Sequence, residues 1–390
     1  MNEFVSTILG DWSEVECLSQ EWNDVLCQSR NNSVFLTWEW IDTWWRHYGK
    51  AYRPFVVVVH DSDGCIQGIA PMMLSDCPGT FGTIRSLQII GQESDAYPEY
   101  LDLIVREEAA DLVIAKIGSV ILSRRNVDWH ILNLQLVPDN SPTLELIRKW
   151  STDQGGHLKF IKKESPYLPL TATFEEFLHK RGKNFRKRWR KKNNALSNAG
   201  KVRLAVAGLD ISVDEAMAYL IELNRQRWGE QGDSFRSSLF TEFHKELCCR
   251  FSAVQKLHLV VMYVDERPVS ARYDFVHNDK FWGYQSGWAL EWRDFSVSYI
   301  LLGKVIEWGI NQGLTEYDFL AGNSEYKTRW AEGNRLLVNM SYYLPGPKGY
   351  LWYIIKETRA FIFKLVPSRI KDLVRQGLKS EKNNSVKSSQ

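Results

Sequence analysis

The sequence predicts an α/β protein of two tandem lobes, each a mixed central sheet flanked by helices, joined by a basic helical connector. Three observations predict it. The chain has 390 residues, more than one ordinary core organises. Apolar β-branched runs alternate with segments of helical period along most of its length. A hairpin pattern also occurs twice, at 55–74 and at 258–276: an apolar strand, an acidic turn, then a strand containing a small residue. We read this recurrence as two copies of one lobe. The expected division is 1–165 for the first lobe, 166–230 for the connector, 231–347 for the second lobe, and 348–390 for a basic aromatic helix and a disordered tail.

The elements follow in order. Asp11 to Arg30 places Trp12, Val15, Leu18, Trp22, Val25 and Leu26 at helical spacing, so one helix is expected. Thr37 caps a second helix that Gly49 stops. Phe55–His60 and Cys65–Leu74 flank the turn Asp61-Ser62-Asp63-Gly64 and form a hairpin. Ser86–Ile90, Tyr100–Val105 and Trp129–Leu134 read as strands, with a helix at about 108–124. The rhythm then returns with a helix at Val213–Arg227 and strands at Leu257–Val264, Val269–Val276 and Lys280–Gly287. A helix from Ser296 to Gln312 is closed by Gly313, and Glu316–Leu320 is the next strand.

Composition narrows the function. Hydrophobic residues are 44% and charged residues 25%, as in a globular protein, and the 16 Trp suit cores and cleft walls. The six Cys form no CxxC pair and the His are scattered, so no metal site is expected and the thiols read as free. The acidic start MNEFVSTILGDWSEVE lacks the basic region of a signal peptide, and the most apolar stretch, Leu112–Leu122, is too short to span a bilayer. A cytoplasmic protein is expected. The net charge of +2 is unevenly spread: 1–347 carries −5, while 348–390 carries ten Lys/Arg against three Asp/Glu. Between the lobes, Lys180–Lys192 has nine basic residues among thirteen and no acid. Such a run is either a solvated helix face or a surface for a phosphorylated acceptor, a tRNA or another nucleic acid. Apart from a tRNA donor, nucleic acid is not the expected partner.

The segment from Tyr284 to Lys327 has the order that binds an anionic co-substrate: strand, loop, helix, strand. A loop that opens a helix offers unpaired N–H groups and the positive end of the dipole to phosphate. The candidates there are Arg293, Phe295, Ser296, Val297 and Ser298.

Several short motifs carry a resemblance. Phe35-Leu36-Thr37-Trp38-Glu39-Trp40 with Trp44-Trp45-Arg46-His47-Tyr48-Gly49 resembles the opening of the BioF2-like (CelD/BcsL-type) acetyltransferase domain. That domain belongs to the GNAT superfamily and is related to the FemAB peptidyl transferases. Gly68-Ile69-Ala70-Pro71-Met72 resembles its "vG-x-x-P-L" strand. Ser94-Asp95 and Leu101-Asp102-Leu103 resemble its "SDY-x-DLL" element, interrupted here by extra residues. Arg227-Trp228 matches its "RW". Tyr317–Gly322 with Tyr326–Trp330 resembles its "fDFL-x-G-x-x-x-YK-x-x-W" close. The resemblance runs in order from about residue 12 to 340. It implies two GNAT-like lobes and an acyl-CoA donor, or an aminoacyl-tRNA donor as in the FemAB branch. One departure is plain: GNAT pyrophosphate loops usually carry glycines, whereas Ser296-Val297-Ser298 stands here and the next glycine is Gly303.

In GNAT-like lobes the acyl carbonyl sits where two parallel strands splay apart, which implies Lys280–Gly287 and Glu316–Leu320. The expected catalytic residues are therefore Asp318 as proton acceptor, Lys327 as oxyanion or phosphate partner, and Tyr326 as donor to the leaving thiolate. Arg227, Trp228, Gln285 and Ser286 are expected to bind the acceptor, a small or sugar-like amine or hydroxyl. Arg272 and Asp274 read as an internal ion pair. The aromatic, basic stretch 350–366 is either a final packed helix or a membrane-surface contact. The resemblance implies an activity in exopolysaccharide or envelope metabolism; the alternative outside enzymes is a nucleic-acid or membrane-surface binding protein.

Overall fold

The computed structural model describes residues 4–78, 82–123, 129–232, 234–322 and 324–365. Its strands are β1 (Val5–Leu9), β2 (Arg53–His60), β3 (Ile66–Cys77), β4 (Ile84–Ile89), β5 (Ile104–Val105), β6 (Ile131–Pro138), β7 (His157–Pro169), β8 (Val202–Val206), β9 (Leu257–Val264), β10 (Arg267–His277), β11 (Lys280–Trp288), β12 (Glu316–Asp318) and β13 (Gly333–Tyr343). All thirteen join one sheet in the order β1-β2-β3-β4-β6-β13-β7-β12-β11-β10-β9-β8, with β5 beside β3.

Read from its two ends toward the middle, this order is the same path twice. Strands β1, β2, β3, β4 and β6 correspond to β8, β9, β10, β11 and β12. Both halves have an antiparallel meander followed by one parallel pair of three residues: Ser86–Gln88 beside Ile131–Asn133, and Lys280–Trp282 beside Glu316–Asp318. The last strands are exchanged. β7, which follows β6 in sequence, pairs with β12, and β13, which follows β12, pairs with β6. β7 and β13 then pair antiparallel from Gly333↔Tyr167 to Tyr343↔His157, closing the two lobes into one continuous sheet.

Helices cover both faces. On one face of the C-terminal half, the helix Val297–Asn311 buries Ile300, Leu301, Val305 and Ile306 against Phe281, Tyr317, Val260 and Met262. The connector helix Gly182–Ala199 lies over that helix through Trp189, which fits because residue 303 is glycine; a Cβ there would collide with the indole. The basic helix thus has a fixed apolar side and an outward basic side. On the other face, helices Trp38–Tyr48 and Ser238–Ala253 join the lobes. Buried Asp42 accepts hydrogen bonds from Arg250 (2.6 Å) and Trp12 Nε1 (3.3 Å), and Phe35 packs edge-on to Phe275 and Trp282.

Local expectations fared unevenly. Thr37 caps the helix Trp38–Tyr48, accepting from the Trp40 N–H, and Gly49 ends it. The expected single helix at 11–30 is two, Trp12–Glu16 and Ser19–Cys27. The break lets Trp12 and Trp22 both reach Trp38, at ring-centroid distances of 6.0 and 5.5 Å. Of Tyr100–Val105 only Ile104 and Val105 pair as strand; Tyr100 is left-handed (φ 54°), and Asp102 accepts from Leu103 N–H and Thr143 Oγ1. The final helix, Pro347–Leu365, packs Trp352 and Tyr353 against Ile84, Ile131 and Tyr343, with Tyr353 stacked on His157 at 4.4 Å. The tail expected to be disordered from Lys379 lies outside the described residues. All six cysteines are free thiols, and no helix among the described residues is long and apolar enough to cross a membrane.

Candidate active site

The site begins with a register. β11 and β12 run parallel for three residues only, ending at Trp282↔Asp318. β12 then stops and β11 continues to Trp288, so the sheet opens into a V. Beside the opening, Asp274 faces Gly283 and Tyr273 faces Gln285, leaving Tyr284 as an extra residue in a bulge. A bulge re-aims the side chains that follow it and frees local backbone groups from the ladder.

Four of the expected residues converge at this V. Arg227, near the end of the helix Val213–Gly232, donates from Nη1 to Ser286 Oγ (2.7 Å) and lies 4.4 Å from the Trp228 ring and 5.9 Å from the Tyr326 ring. Asn224 of the same helix holds Ser286 by its backbone oxygen (2.9 Å). Lys327 reaches back from the helix Glu325–Trp330 and donates to Leu320 O (3.0 Å) and Ala321 O (2.9 Å). Among the described residues neither Arg227 nor Lys327 has a carboxylate within ion-pair distance. Burial lowers the pKa of both cations; Arg272 adds to this, while Tyr326 opposes it at Arg227 and Glu99 and Asp318 oppose it at Lys327. Two half-buried cations without ionic partners are costly unless an anion joins them. Trp228 is half exposed beside Arg227, and Gln285 is partly buried next to the bulge.

Asp318, the last residue of β12, has both oxygens engaged. Oδ2 accepts from Tyr100 Oη (2.6 Å) and Arg335 Nη1 (3.2 Å), and Oδ1 accepts from Leu320 N (2.7 Å) and Ser165 Oγ (3.4 Å). Burial raises its pKa, with these donors opposing. Four donors on a buried carboxylate suit an anchor of the turn better than a proton acceptor. Arg272 and Asp274 form the expected internal pair (3.2 Å), and Tyr317 Oη donates to Asp274 (2.6 Å) beneath the helix Val297–Asn311.

One carboxylate escaped the sequence reading. Glu99, from the first lobe, accepts from Ala321 N (2.7 Å), and its neighbours include Lys327, Asp318 and Lys163. Burial pushes its pKa up to about 7; Asp318 adds to the rise, while the Ala321 bond, Lys327 and Lys163 restrain it. Glu99 thus brings a buried carboxylate, with its pKa raised toward neutrality, to the turn that follows β12. Glu99 sits within the extra residues that interrupt the Ser94-Asp95…Leu101-Asp102-Leu103 element, and it meets Ala321 across 222 positions. The interruption was the one available signal.

The expected donor loop opens the helix that starts at the same end of β11. Arg293 lies in the turn Leu290–Phe295, and Phe295 packs on Trp292 at 5.2 Å. Ser296 adopts a left-handed conformation (φ 58°, ψ 43°), the backbone a glycine ordinarily supplies, and its side chain makes no capping bond. Val297 and Ser298 begin the helix, where the first N–H groups have no intrahelical acceptors. Lys192 of the basic helix donates to Asp294 O (2.8 Å), and Arg188 lies 5.4 Å from the Tyr299 ring. The Tyr299 hydroxyl is buried without a partner among the described residues. Positive charge and a helix N-terminus therefore meet at the open end of the V, which fits a phosphate-bearing donor. Among the described residues no group of His, Cys, Asp and Glu is arranged to hold a metal.

The comparisons with known proteins bear on the fold and on one domain within it. Residues 183–328 match the model of the acetyltransferase (GNAT) domain, from the basic helix through Lys327. No curated protein sequence matches the chain. Among solved structures, FemX shares the fold with a TM-score of 0.61 at 13% identity, over 86% of this chain and 98% of that one. A conserved protein of unknown function from Bacteroides thetaiotaomicron VPI-5482 gives 0.50 at 10% identity, over 83% and 97%. The domain match over residues 183–328 supports an acyltransferase. The chain carries a GNAT-type acetyltransferase domain within a two-lobed mixed sheet.

Proposed function

We propose that the protein transfers an acyl group from acyl-CoA to an amine or hydroxyl of a small, sugar-like acceptor at the V between β11 and β12. The observation that carries this reading is the three-residue parallel pair that opens beside a bulge, with the N-terminus of Val297–Asn311 at its open end. Arg293 and the backbone of Ser296–Ser298 bind the donor's phosphates. Arg227, Trp228, Gln285 and Ser286 hold the acceptor, with Arg227 matched to an acidic group on it. As the acceptor's nitrogen or oxygen bonds to the acyl carbon, Glu99 takes its proton. The carbon–sulfur bond then breaks, and Tyr326 protonates the departing thiolate. Lys327 steadies negative charge at the reacting centre, and Asp318 keeps the Leu320–Ala321 turn in place. The BioF2-like resemblance adds the setting, exopolysaccharide or envelope metabolism.

A second reading has its own support. The exposed Lys183, Lys187, Arg188 and Lys191 lie on the helix that covers the donor side of the V, a surface that suits a tRNA carrying the acyl group. Calorimetry separates the two. CoA binding that weakens roughly tenfold in Arg293→Ala, as for one lost charged hydrogen bond, supports the first. Absent CoA binding together with tight, steeply salt-dependent tRNA binding replaces it with the second.

A further inference from the structure

The two halves of the sheet each open into a V, and the first lobe's V holds a cavity of about 890 Å³. Its walls correspond to those of the acyl-transfer cleft. The start of the helix Ala110–Leu122 stands where the start of Val297–Asn311 stands in the other lobe. The end of β6 with the start of Pro142–Gln154 stands where β12 and the start of Glu325–Trp330 stand. The floor comes from the second lobe, with Trp282, Asp318 and Arg335. Tyr100 and Asp318 line this cavity, while the neighbouring Glu99 and Leu320 serve the acyl-transfer cleft, so the two spaces lie back to back.

Their chemistry differs. Where the second lobe offers Arg293 and Lys192 at the helix start, the first offers Glu107, Glu108 and Asp111, all exposed and none within ion-pair distance of a cation among the described residues. These acids disfavour a phosphate at the helix start; of the cations in the lining, Lys280 and Arg335 are paired with Glu316, and Arg30 stands exposed on the opposite segment. The remaining lining is rich in side-chain amides with free capacity. Asn31 spends its amide N–H on Tyr100 O and keeps its oxygen; Asn32 spends its oxygen on His277 and keeps its N–H groups. Asn140 and Asn278 stand exposed at the rim. Amides both donate and accept, as neighbouring hydroxyls on a ring require, and the volume lies in the upper part of the range for small-molecule sites. We propose that this cavity is a second ligand site, one that takes a neutral or amine-bearing saccharide rather than a phosphate-bearing donor. The inference is independent of which donor the acyl-transfer cleft uses.

Ligand-observed NMR titrations of the full chain with glucose, N-acetylglucosamine and glucosamine test it. Saturable binding of at least one of them is expected. Asn140→Trp, which puts an indole at the rim, weakens it tenfold or more. Glu108→Lys with Asp111→Lys weakens glucosamine more than glucose and supplies a second variant that does not depend on the first. Arg227→Ala removes an acceptor contact in the other cleft, and in that background a saturable component that both cavity variants weaken still remains. The proposal is overturned if none of the three sugars binds saturably. It is equally overturned if binding survives both cavity variants in protein of normal melting temperature, or if Arg227→Ala abolishes it, which would mean a single site.

Discussion

Glu99→Gln separates catalysis from stability in one substitution. The carboxyl titrates at about 7 in the fold against an ordinary 4.5, a difference worth about 3 kcal/mol as an upper figure. A carboxyl whose folded pKa is raised favours folding at low pH. The contribution is complete below about pH 4.5 and disappears as pH rises through about 7, so at pH 8 the ionised Glu99 is a burden. Glutamine keeps an oxygen to accept from Ala321 N and carries no charge. The variant is therefore expected to melt several degrees above wild type at pH 8 and to match it near pH 4. Its single-turnover acyl transfer should fall by about 10²–10⁴-fold, the usual contribution of a general base. The assay pairs melting curves from pH 4 to 9 with rapid-quench rates at saturating donor. A wild-type rate in the variant refutes the proton-transfer role. An unchanged melting profile refutes the titration of this carboxyl near neutrality.

Arg227→Ala is expected to raise KM for an acidic acceptor roughly tenfold or more with little change in kcat, since it removes one charged hydrogen bond; steady-state kinetics check this. Asp318→Ala takes the shared acceptor from Tyr100, Ser165 and Leu320 N while Arg335 keeps Glu316, so it should lose about 1–3 kcal/mol in denaturant unfolding while the residual folded enzyme keeps most of its rate; a rate loss without destabilisation would make Asp318 chemical instead. Gly303→Ala drives a methyl into the Trp189 ring and should cost about 1–3 kcal/mol, loosening the basic helix; chemical denaturation measures it. Ser296→Gly relieves a left-handed serine and should stabilise by about 1 kcal/mol without weakening CoA binding.

The sequence by itself determined what local period and turn chemistry control. The hairpins β2–β3 and β9–β10, the cap at Thr37, and the strand–helix–strand order from β11 to β12 were legible because each is settled within about thirty residues. The motifs pointed to Arg227, Tyr326 and Lys327, and the strand position to Ser286; the fold brings Arg227 beside Ser286 and Tyr326, and their roles are part of the proposed function. The tertiary structure decided the rest. The exchange of β7 and β13 was not visible because a strand's partner is chosen by long-range pairing that leaves no local pattern, and β7 reads as the polar run His157-Leu158-Lys159-Phe160-Ile161-Lys162-Lys163-Glu164. That exchange brings the lobes together, and with it Glu99 to Ala321 and Tyr100 to Asp318. The environment of a carboxylate is likewise a tertiary property. Asp318 stands in a matched motif yet is saturated by four donors, whereas Glu99 stands in an unmatched insertion and has one backbone donor and a pKa raised by burial. Sequence spacing identifies which side chains share a strand or a helix face; only the packed lobes fix which of them lose water and which find partners.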